Sequence, residues 1–457
     1  MIKLYNTLSR EKEEFKPTKD KEVGIYACGP TVYFFAHIGN FRTYVFEDVL
    51  RRVLEFNGYA VKFVMNITDV GHLTDDADAG EDKMLLAMRR EGKSAQEIAE
   101  FYTQAFMADV KKLNIKPADE YPRATDHIQE QIELIKKLEE KGFTYQTTDG
   151  VYFDTSKLPD YGRLSGQKSE EKEAGARVAM GEKKNPTDFA LWKFSSESEQ
   201  RLMEWESPWG KGFPGWHIEC SAMSAKYLGI PFDIHLGGID HVPVHHENEI
   251  AQTQAAEGKL LANYWVHSDF LTVDGGKMSK SLGNIYTISD LAAKGIDPLA
   301  FRYFCLGAHY RTKLNFTTES INAAQNALNN LRDAVRDWDS PSGGCAAYEQ
   351  EFAAALDDDL NLPEALAVVW QMKDSASASS AKAASLLKFD QVLGLELDQY
   401  VAQPLAVPED VKSLVKDRER AREEKDFERA DQLREQIEKK GFTVDDQAAG
   451  SKINQKH

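Results

Sequence analysis

The sequence predicts an α/β fold: a parallel-sheet domain carrying an insertion, then an all-α helical region and a small C-terminal part. Three observations lead there. A strand, a loop, a helix and a second strand follow one another between Glu22 and Ile67, the βαβ signature of a parallel sheet. Ile234 and Leu236 run into Gly237-Gly238 and then a helix over Glu247 to Ala256. From Pro298 onward the apolar spacing is almost wholly helical.

Taken in order, Glu22 to Ala27 reads as a short buried strand leading to a Cys28-Gly-Pro loop. His37-Ile-Gly-Asn40 opens an amphipathic run that stops on Gly58, a C-cap glycine. The second strand covers Tyr59 to Ile67. A polar stretch, Thr68 to Asp82, precedes one helical periodicity over Lys83 to Leu113, and another helix spans Asp126 to Lys141. Val151 to Asp154 alternates like a strand, and Tyr161 to Asn185, rich in Gly, Glu and Lys, is expected to be an exposed, mobile insertion. Phe270 to Val273 reads as a strand and Asp274-Gly-Gly276 as a turn, after which Lys277-Met-Ser-Lys280-Ser281 lies on a loop. Helices are expected over 318–338, 348–356, 363–386 and 408–440. Ser375 to Ser385 is a Ser/Ala run expected to be a weak helix or a hinge, and Pro404 and Pro408 bracket a linker before a charged helical hairpin. This gives three regions: 1–314 with an insertion at roughly 115–205, a helical region 315–402, and a tail 403–457.

Composition narrows the class. A hydrophobic content of 42% supports real cores, and no run of 18 or more apolar residues suggests a membrane span. The N-terminal stretch lacks an apolar signal core, so a cytoplasmic protein is expected. The cysteines Cys28, Cys220, Cys305 and Cys345 are too few and too scattered for a disulfide scaffold. The net charge of −18 weighs against a nucleic-acid partner, but it is uneven. Residues 403–457 carry 12 Lys plus Arg against 13 Asp plus Glu, so nearly all the acidity lies on the body.

The densest chemistry lies between Gly215 and Gln252, where Cys220 stands with His217, His235, His241, His245 and His246. His245 and Glu249, at i and i+4, share one helix face and can reach one ion. With two thiolates added, such a set suits Zn²⁺. His37 and Asn40 stand at a helix N-terminus beside a strand end, a place that favours phosphate. The paired lysines of Lys277-Met-Ser-Lys280 suit a polyphosphate. Gly-rich loops of the dinucleotide or P-loop type are absent from the sequence.

Together, in this order and on βαβ edges, HIGN (37–40) and KMSKS (277–281) resemble the two signatures of class I aminoacyl-tRNA synthetases. The likeness is closer than class level. CGPTVYFFAHIGNFR (28–42), VYFDTSKLPDYGRLSGQ (151–167), NPTDFALWK (185–193), SPWGKGFPGWHIECSAM (207–223), HHENEIAQ (245–252) and KMSKSLGN (277–284) resemble the cysteinyl-tRNA synthetase family. DDDLNLPEAL (357–366) and KDFERADQLREQIEKKGFTVDD (425–446) extend the resemblance over essentially the whole chain.

That resemblance implies a Rossmann-like catalytic domain that activates L-cysteine with ATP and passes it to tRNA(Cys). It implies one zinc per subunit, held by Cys28, Cys220, His245 and Glu249, which selects the substrate thiolate, and Mg²⁺ accompanying ATP. It places His37, Asn40, Lys277 and Lys280 in catalysis, with His37, Asn40, Gly238, Asp240 and Lys280 around the nucleotide. Trp216 and His217 are expected to wall the amino-acid pocket, and the other histidines of the stretch to be incidental. The tail is expected at the anticodon, and the protein is expected to be a monomer.

Three stretches depart from the family pattern. DHVPV (240–244) has its proline displaced and adds His241; VGHLTDDADAGEDK (70–83) is longer and more acidic; the C-terminal AAGSKINQKH lacks a tryptophan. Two rival readings are a cysteine ligase making the same adenylate for an amino-sugar acceptor, and a zinc-stabilised RNA-binding paralogue without catalysis. The C-terminal region argues against the first. The intact HIGN and KMSKS segments argue against the second.

Overall fold

A computed structural model describes residues 1–71, 82–166, 182–195, 203–278, 283–447 and 450–455. The chain divides into two compact units, 1–317 with 354–363, and 318–353 with 364–457.

The first unit is built on a four-stranded parallel sheet. After the antiparallel pair β1 (Lys3–Asn6) and β2 (Glu11–Glu14), its strands are β3 (Glu22–Ala27), β4 (Ala60–Met65), β9 (Phe232–Gly238) and β10 (Ala262–Ser268), in the order β10-β9-β3-β4. The chain moves outward from β3 to β4 and later returns to β9 on the other side of β3. This reversal opens a crevice beyond the carboxyl ends of β3 and β9, where ligands of such sheets bind. Ala27 pairs with Leu236 and with Met65, so Cys28, Asn66 and Gly238 emerge at one edge. Helix α1 (Ile38–Phe56) makes the crossover. His37 caps it: its ring accepts from the Asn40 amide while the Asn40 side chain accepts from the His37 amide. Two N-terminal amides that the helix itself leaves unpaired are thereby satisfied.

The single periodicity expected over Lys83 to Leu113 is two helices, α2 (Lys83–Glu91) and α3 (Ala95–Lys112). Gly92, at φ 67°, ends the first in a left-handed cap. Ser94 starts the second with a capping box to Glu97. The cap signals outweigh the continuous apolar spacing. After α4 (Ile128–Glu140) comes an antiparallel sheet, β5-β6-β7-β8, of Thr144–Gln146, Gly150–Phe153, Phe189–Phe194 and Gly212–Pro214. The expectation of a mobile insertion falls largely on residues 167–181, which lie outside the described residues. Helix α5 (Trp216–Leu228) and helix α6 (His245–Glu257) then pack beneath the parallel sheet's crevice, their apolar residues sharing one core with Trp192 and Trp265.

Two buried polar knots tie this unit. Asp48 on α1 accepts from Arg52 Nε at 2.7 Å and lies 2.6 Å from Arg302 Nη2, on the helix Pro298–Leu306. Asp359 accepts from the Tyr5 amide at 2.8 Å, Tyr310 Oη at 2.6 Å and Arg311 Nε at 2.8 Å. This second knot explains why residues 354–363 belong with the first unit.

The second unit is helical, as the spacing predicts, up to the paired helices Glu409–Glu423 and Phe427–Lys439. The Ser/Ala run contributes to a helix over Ser379–Leu393. Beyond the expected helical hairpin lies a β-hairpin, Phe442–Gln447 with Gly450–Gln455, which the sequence reading did not anticipate. Val411, Val415, Ile437 and Val444 form its shared core, and Arg418 clamps Asp446 at 2.8 and 3.1 Å. No helix among the described residues is long and apolar enough to cross a membrane.

Candidate active site and metal centre

A cleft of about 480 Å³ opens at the carboxyl edge of the parallel sheet. His37 and Asn40 line it from the start of α1, Gly238 and Asp240 from the end of β9, Trp216 from the start of α5, and Lys277 from the loop after β11 (Leu271–Val273). The His37 imidazole is held below its usual pKa by burial, against the attraction of Asp240, so it is neutral and its ring nitrogen can accept from α1's own amide. Met278 rests on Gly39: a Cβ there would come within 2.3 Å of its Cε. Lys280 lies outside the described residues.

Behind the cleft wall, which Cys28 lines, the expected ligand residues converge. Single donor atoms of Cys28, Cys220, His245 and Glu249 all lie within 4.8 Å of one another, and all four residues are buried. They come from the loop after β3, from α5 and from the first turn of α6, where the i, i+4 spacing puts His245 Nε2 3.0 Å from Glu249 Oε1. Beyond that His245 contact, the oxygen has no hydrogen-bond partner among the described residues. Two free thiols, an imidazole and a buried carboxylate together make a donor set that would suit Zn²⁺.

The electrostatics suit a cation. Burial and the neighbouring Cys220 push the Cys28 thiol up. The hydrogen bond with Cys28 brings Cys220 down to about 7, against a burial that would raise it. Burial alone would raise Glu249, yet His235 and His245 bring it down to about 2. Burial would lower His245, while Glu249 and Cys220 raise it to about 10.

Several residues read as incidental turn out to hold the ligands in place. His235 Nε2 lies 2.7 Å from Glu249 Oε2. His246 Nε2 lies 3.3 Å from Cys28 Sγ, and its Nδ1 lies 2.8 Å from His267 Nε2, whose Nδ1 meets Thr7 Oγ1 at 2.8 Å. Cys28, His235, His246 and Glu249 form a second set within 4.8 Å, sharing two members with the first. Such outer hydrogen bonds fix tautomers and ring orientation. His217 stands behind the cleft lining, against the expected ligand His245. It is 2% exposed, and its Nδ1 lies 2.9 Å from His245 Nδ1. Trp216 does line the cleft, its ring 5.0 Å from that of His245 and under the Lys83 ammonium at 5.5 Å. The extra imidazole, His241, also lines the cleft, 5.3 Å from the His245 ring, and burial lowers its pKa to about 4, so it is neutral.

Gly29 shows how tightly the first thiol is placed. A Cβ there would lie 1.7 Å from the Asn66 carbonyl oxygen, and the Gly29 amide donates to Asn66 Oδ1 at 2.9 Å. Gly29→Ala should push the Cys28 loop off β4, lowering both bound metal and the thermal midpoint by an amount equivalent to about 1–3 kcal/mol. Metal analysis and a melting curve check this. An unchanged metal content would show that the loop tolerates the displacement.

Comparison with known proteins places this geometry. Residues 14–326 match the family model described as tRNA synthetases class I (C) catalytic domain, and residues 406–452 match the cysteinyl-tRNA ligase anticodon binding domain. Cysteine–tRNA ligase 1 of Burkholderia lata is 55% identical over 455 residues, covering 99% of this chain and 96% of that protein. The cysteine–tRNA ligase of Treponema denticola is 43% identical, with 98% of each chain covered. Among solved structures, the methionyl-tRNA synthetase of Mycobacterium tuberculosis in complex with methionyl-adenylate superimposes with a TM-score of 0.57 at 18% identity, covering 83% of this chain and 91% of that one. The LeuRS–tRNA–LeuAMS ternary complex from Agrobacterium radiobacter gives 0.58 at 13% identity, covering 86% and 87%. At such identities these two likenesses speak for the fold alone. With both family models matched in order and curated relatives aligned end to end, the chain belongs to the class I cysteine–tRNA ligases.

Proposed function

We propose that this chain activates L-cysteine with ATP and transfers it to tRNA(Cys), and that Cys28, Cys220, His245 and Glu249 hold the zinc that selects the substrate. The observation that carries the reading is the convergence of two thiols, an imidazole and a carboxylate within 4.8 Å, one of them, Cys28, lining the same cleft as a capped helix N-terminus.

In the first step a carboxylate oxygen of cysteine attacks the α-phosphorus of ATP, and the bond to pyrophosphate breaks. Little covalent work is asked of the protein; what lowers the barrier is positioning and charge stabilisation. His37 and Asn40, with the start of α1, receive the triphosphate. Lys277 and Lys280 neutralise the charge moving onto pyrophosphate, with Mg²⁺ accompanying ATP. Gly238 lets the nucleotide approach β9, and Asp240 takes the ribose or the substrate amine. In the second step a hydroxyl of the terminal adenosine attacks the acyl carbon, AMP leaves, and the hydroxyl proton is lost.

Serine is nearly isosteric with cysteine, so a pocket of shape alone discriminates poorly. A zinc ion in the four-ligand site supplies a soft centre that prefers a thiolate to a neutral hydroxyl. Trp216 closes one wall of that pocket. We assign 1–314, with the insertion at roughly 115–205, to activation, and 315–402, apart from the 354–363 stretch that packs with the first unit, and 403–457 to tRNA docking, the tail at the anticodon. The match of 406–452 to an anticodon-binding family supports this and disfavours an amino-sugar acceptor. The four free cysteines fit a reducing cytoplasm. We read the active species as a monomer, which sedimentation checks.

Cysteine-dependent ATP–pyrophosphate exchange, followed by transfer to tRNA(Cys), tests the whole reading. Exchange with transfer is expected. Exchange without transfer would favour the small-acceptor ligase, and absence of exchange would end both enzymatic readings.

A further inference from the structure

At the mouth of the cleft, outside the residues given roles above, aromatic rings cluster on the segment before His37 and on α3. Phe35 and Phe101 are 40% and 42% exposed, among the most exposed large apolar side chains of the described residues. Their rings lie 5.9 Å apart at 68°. Tyr102, itself 5% exposed, meets both edge-on at 4.9 and 5.1 Å and pins them from beneath. Its hydroxyl is held in turn by Arg90 at 3.0 Å and by Glu91.

Cations frame these rings. Lys93 Nζ stands 4.3 Å over the Phe101 ring, and the Arg90 guanidinium 5.0 Å over Phe34. Arg89-Arg90-Glu91-Gly92-Lys93 carries a net charge of +2 on a chain of −18. Glu91, the one acid in that turn, pairs with both Arg90 at 2.7 Å and Lys93 at 3.4 Å, so a phosphate would meet two cations that share a single carboxylate. Glu100 on the next element is engaged by Arg123 at 2.7 Å. Exposed ring faces alternating with cations are what unpaired nucleotides bind: every base has a face to stack, and every linkage carries a negative charge. Phe34, Phe35 and Tyr102 also line the reaction cleft together with His37 and Asn40, so the rim runs without a break into the place where acyl transfer must occur.

We infer that the Phe35–Phe101 rim, with Arg90 and Lys93, is a stacking platform for the unpaired 3′ end of the acceptor RNA. This rests on the reading of the protein as a tRNA-charging enzyme, and it adds the surface over which the RNA end reaches the adenylate. The rings take bases and the two cations take the intervening phosphates, so binding here depends on salt and not on base sequence.

The test compares Phe101→Ala, Phe101→Leu, Phe101→Trp and Lys93→Ala. Phe101→Ala should raise KM for tRNA by about ten-fold and leave cysteine-dependent pyrophosphate exchange, which needs no RNA, at the wild-type rate. Phe101→Trp, which keeps a stacking face, should restore KM. Phe101→Leu, which keeps only apolar bulk, should not. Lys93→Ala should flatten the salt dependence of KM. An unchanged KM for Phe101→Ala in an enzyme that charges tRNA overturns the platform alone, as does full rescue by Phe101→Leu. Altered sedimentation of Phe101→Ala with KM intact would assign the rim to a second copy of the chain and overturn it too. A wild-type protein that charges no tRNA would overturn the activity itself, and the platform with it.

Discussion

Cys220→Ser should lose bound zinc and cysteine activation together. The side chain is 2% exposed, and a hydroxyl fills nearly the same space, so the fold should survive the exchange. What changes is the donor. A thiol brought down to about 7 by its hydrogen bond with Cys28 becomes a neutral hydroxyl, a far weaker ligand for a soft cation. Metal content should fall from one ion per chain to near none. Cysteine-dependent exchange should fall by about 10³-fold or more, roughly 4 kcal/mol of transition-state stabilisation. Metal analysis and circular dichroism on the same sample separate loss of the ion from loss of fold. A variant that keeps full exchange without metal would show that selection lies elsewhere, with Trp216 and His241 the nearest groups on the cleft wall.

The second large effect concerns stability. Asp48→Ala should cost about 3–5 kcal/mol, because it removes the carboxylate that the buried Arg302 and Arg52 guanidinium groups both engage. The Arg302 and Asp48 side chains are wholly buried, and the Lys116 amide also donates to Asp48 Oδ1 at 2.9 Å. Burial alone would raise the Asp48 pKa, but Arg302, Arg52 and that amide hold it below the usual carboxylate range. Its stabilising contribution is therefore complete above the unfolded value, about 3.9, and is lost as pH falls through the lower native one. Urea unfolding at neutral pH should show the shift, and the wild-type and variant midpoints should converge in acid. By contrast, removing the exposed pair Lys12–Asp358 should change the midpoint little. Equal midpoints for Asp48→Ala and wild type would mean that water reaches the two guanidinium groups.

Much of this arrangement could be read from spacing. The βαβ start was legible because a buried strand, a capped helix and a second strand each carry a local signal within fifty residues. His245 and Glu249 were legible because one helical turn separates them. His246 was not. It follows His245 directly on the helix, about 100° round, and its partners are Cys28 and His267, which no local pattern joins to it. The contact of His217 with His245 was hidden for a related reason, since adjacency to Trp216 says nothing of which way each residue faces. β10, Ala262–Ser268, was missed because ANYWVHS shows no clean apolar–polar alternation, and its place is set by pairing with β9. The terminal β-hairpin was hidden by charge: FTVDDQ buries little beyond Val444 and is held by Arg418 and Arg422 on a preceding helix.

The Asp359 knot bears on how the protein is made. The first unit is not finished when residue 317 leaves the ribosome. Tyr5, Tyr310 and Arg311 must wait for a carboxylate some forty residues further on, and that carboxylate is wholly buried once it arrives. Vectorial synthesis therefore delivers the first helix of the second unit before the first unit can close. A protease cutting within 318–353 would sever the backbone without releasing 354–363, which Asp359 would keep anchored by contact alone.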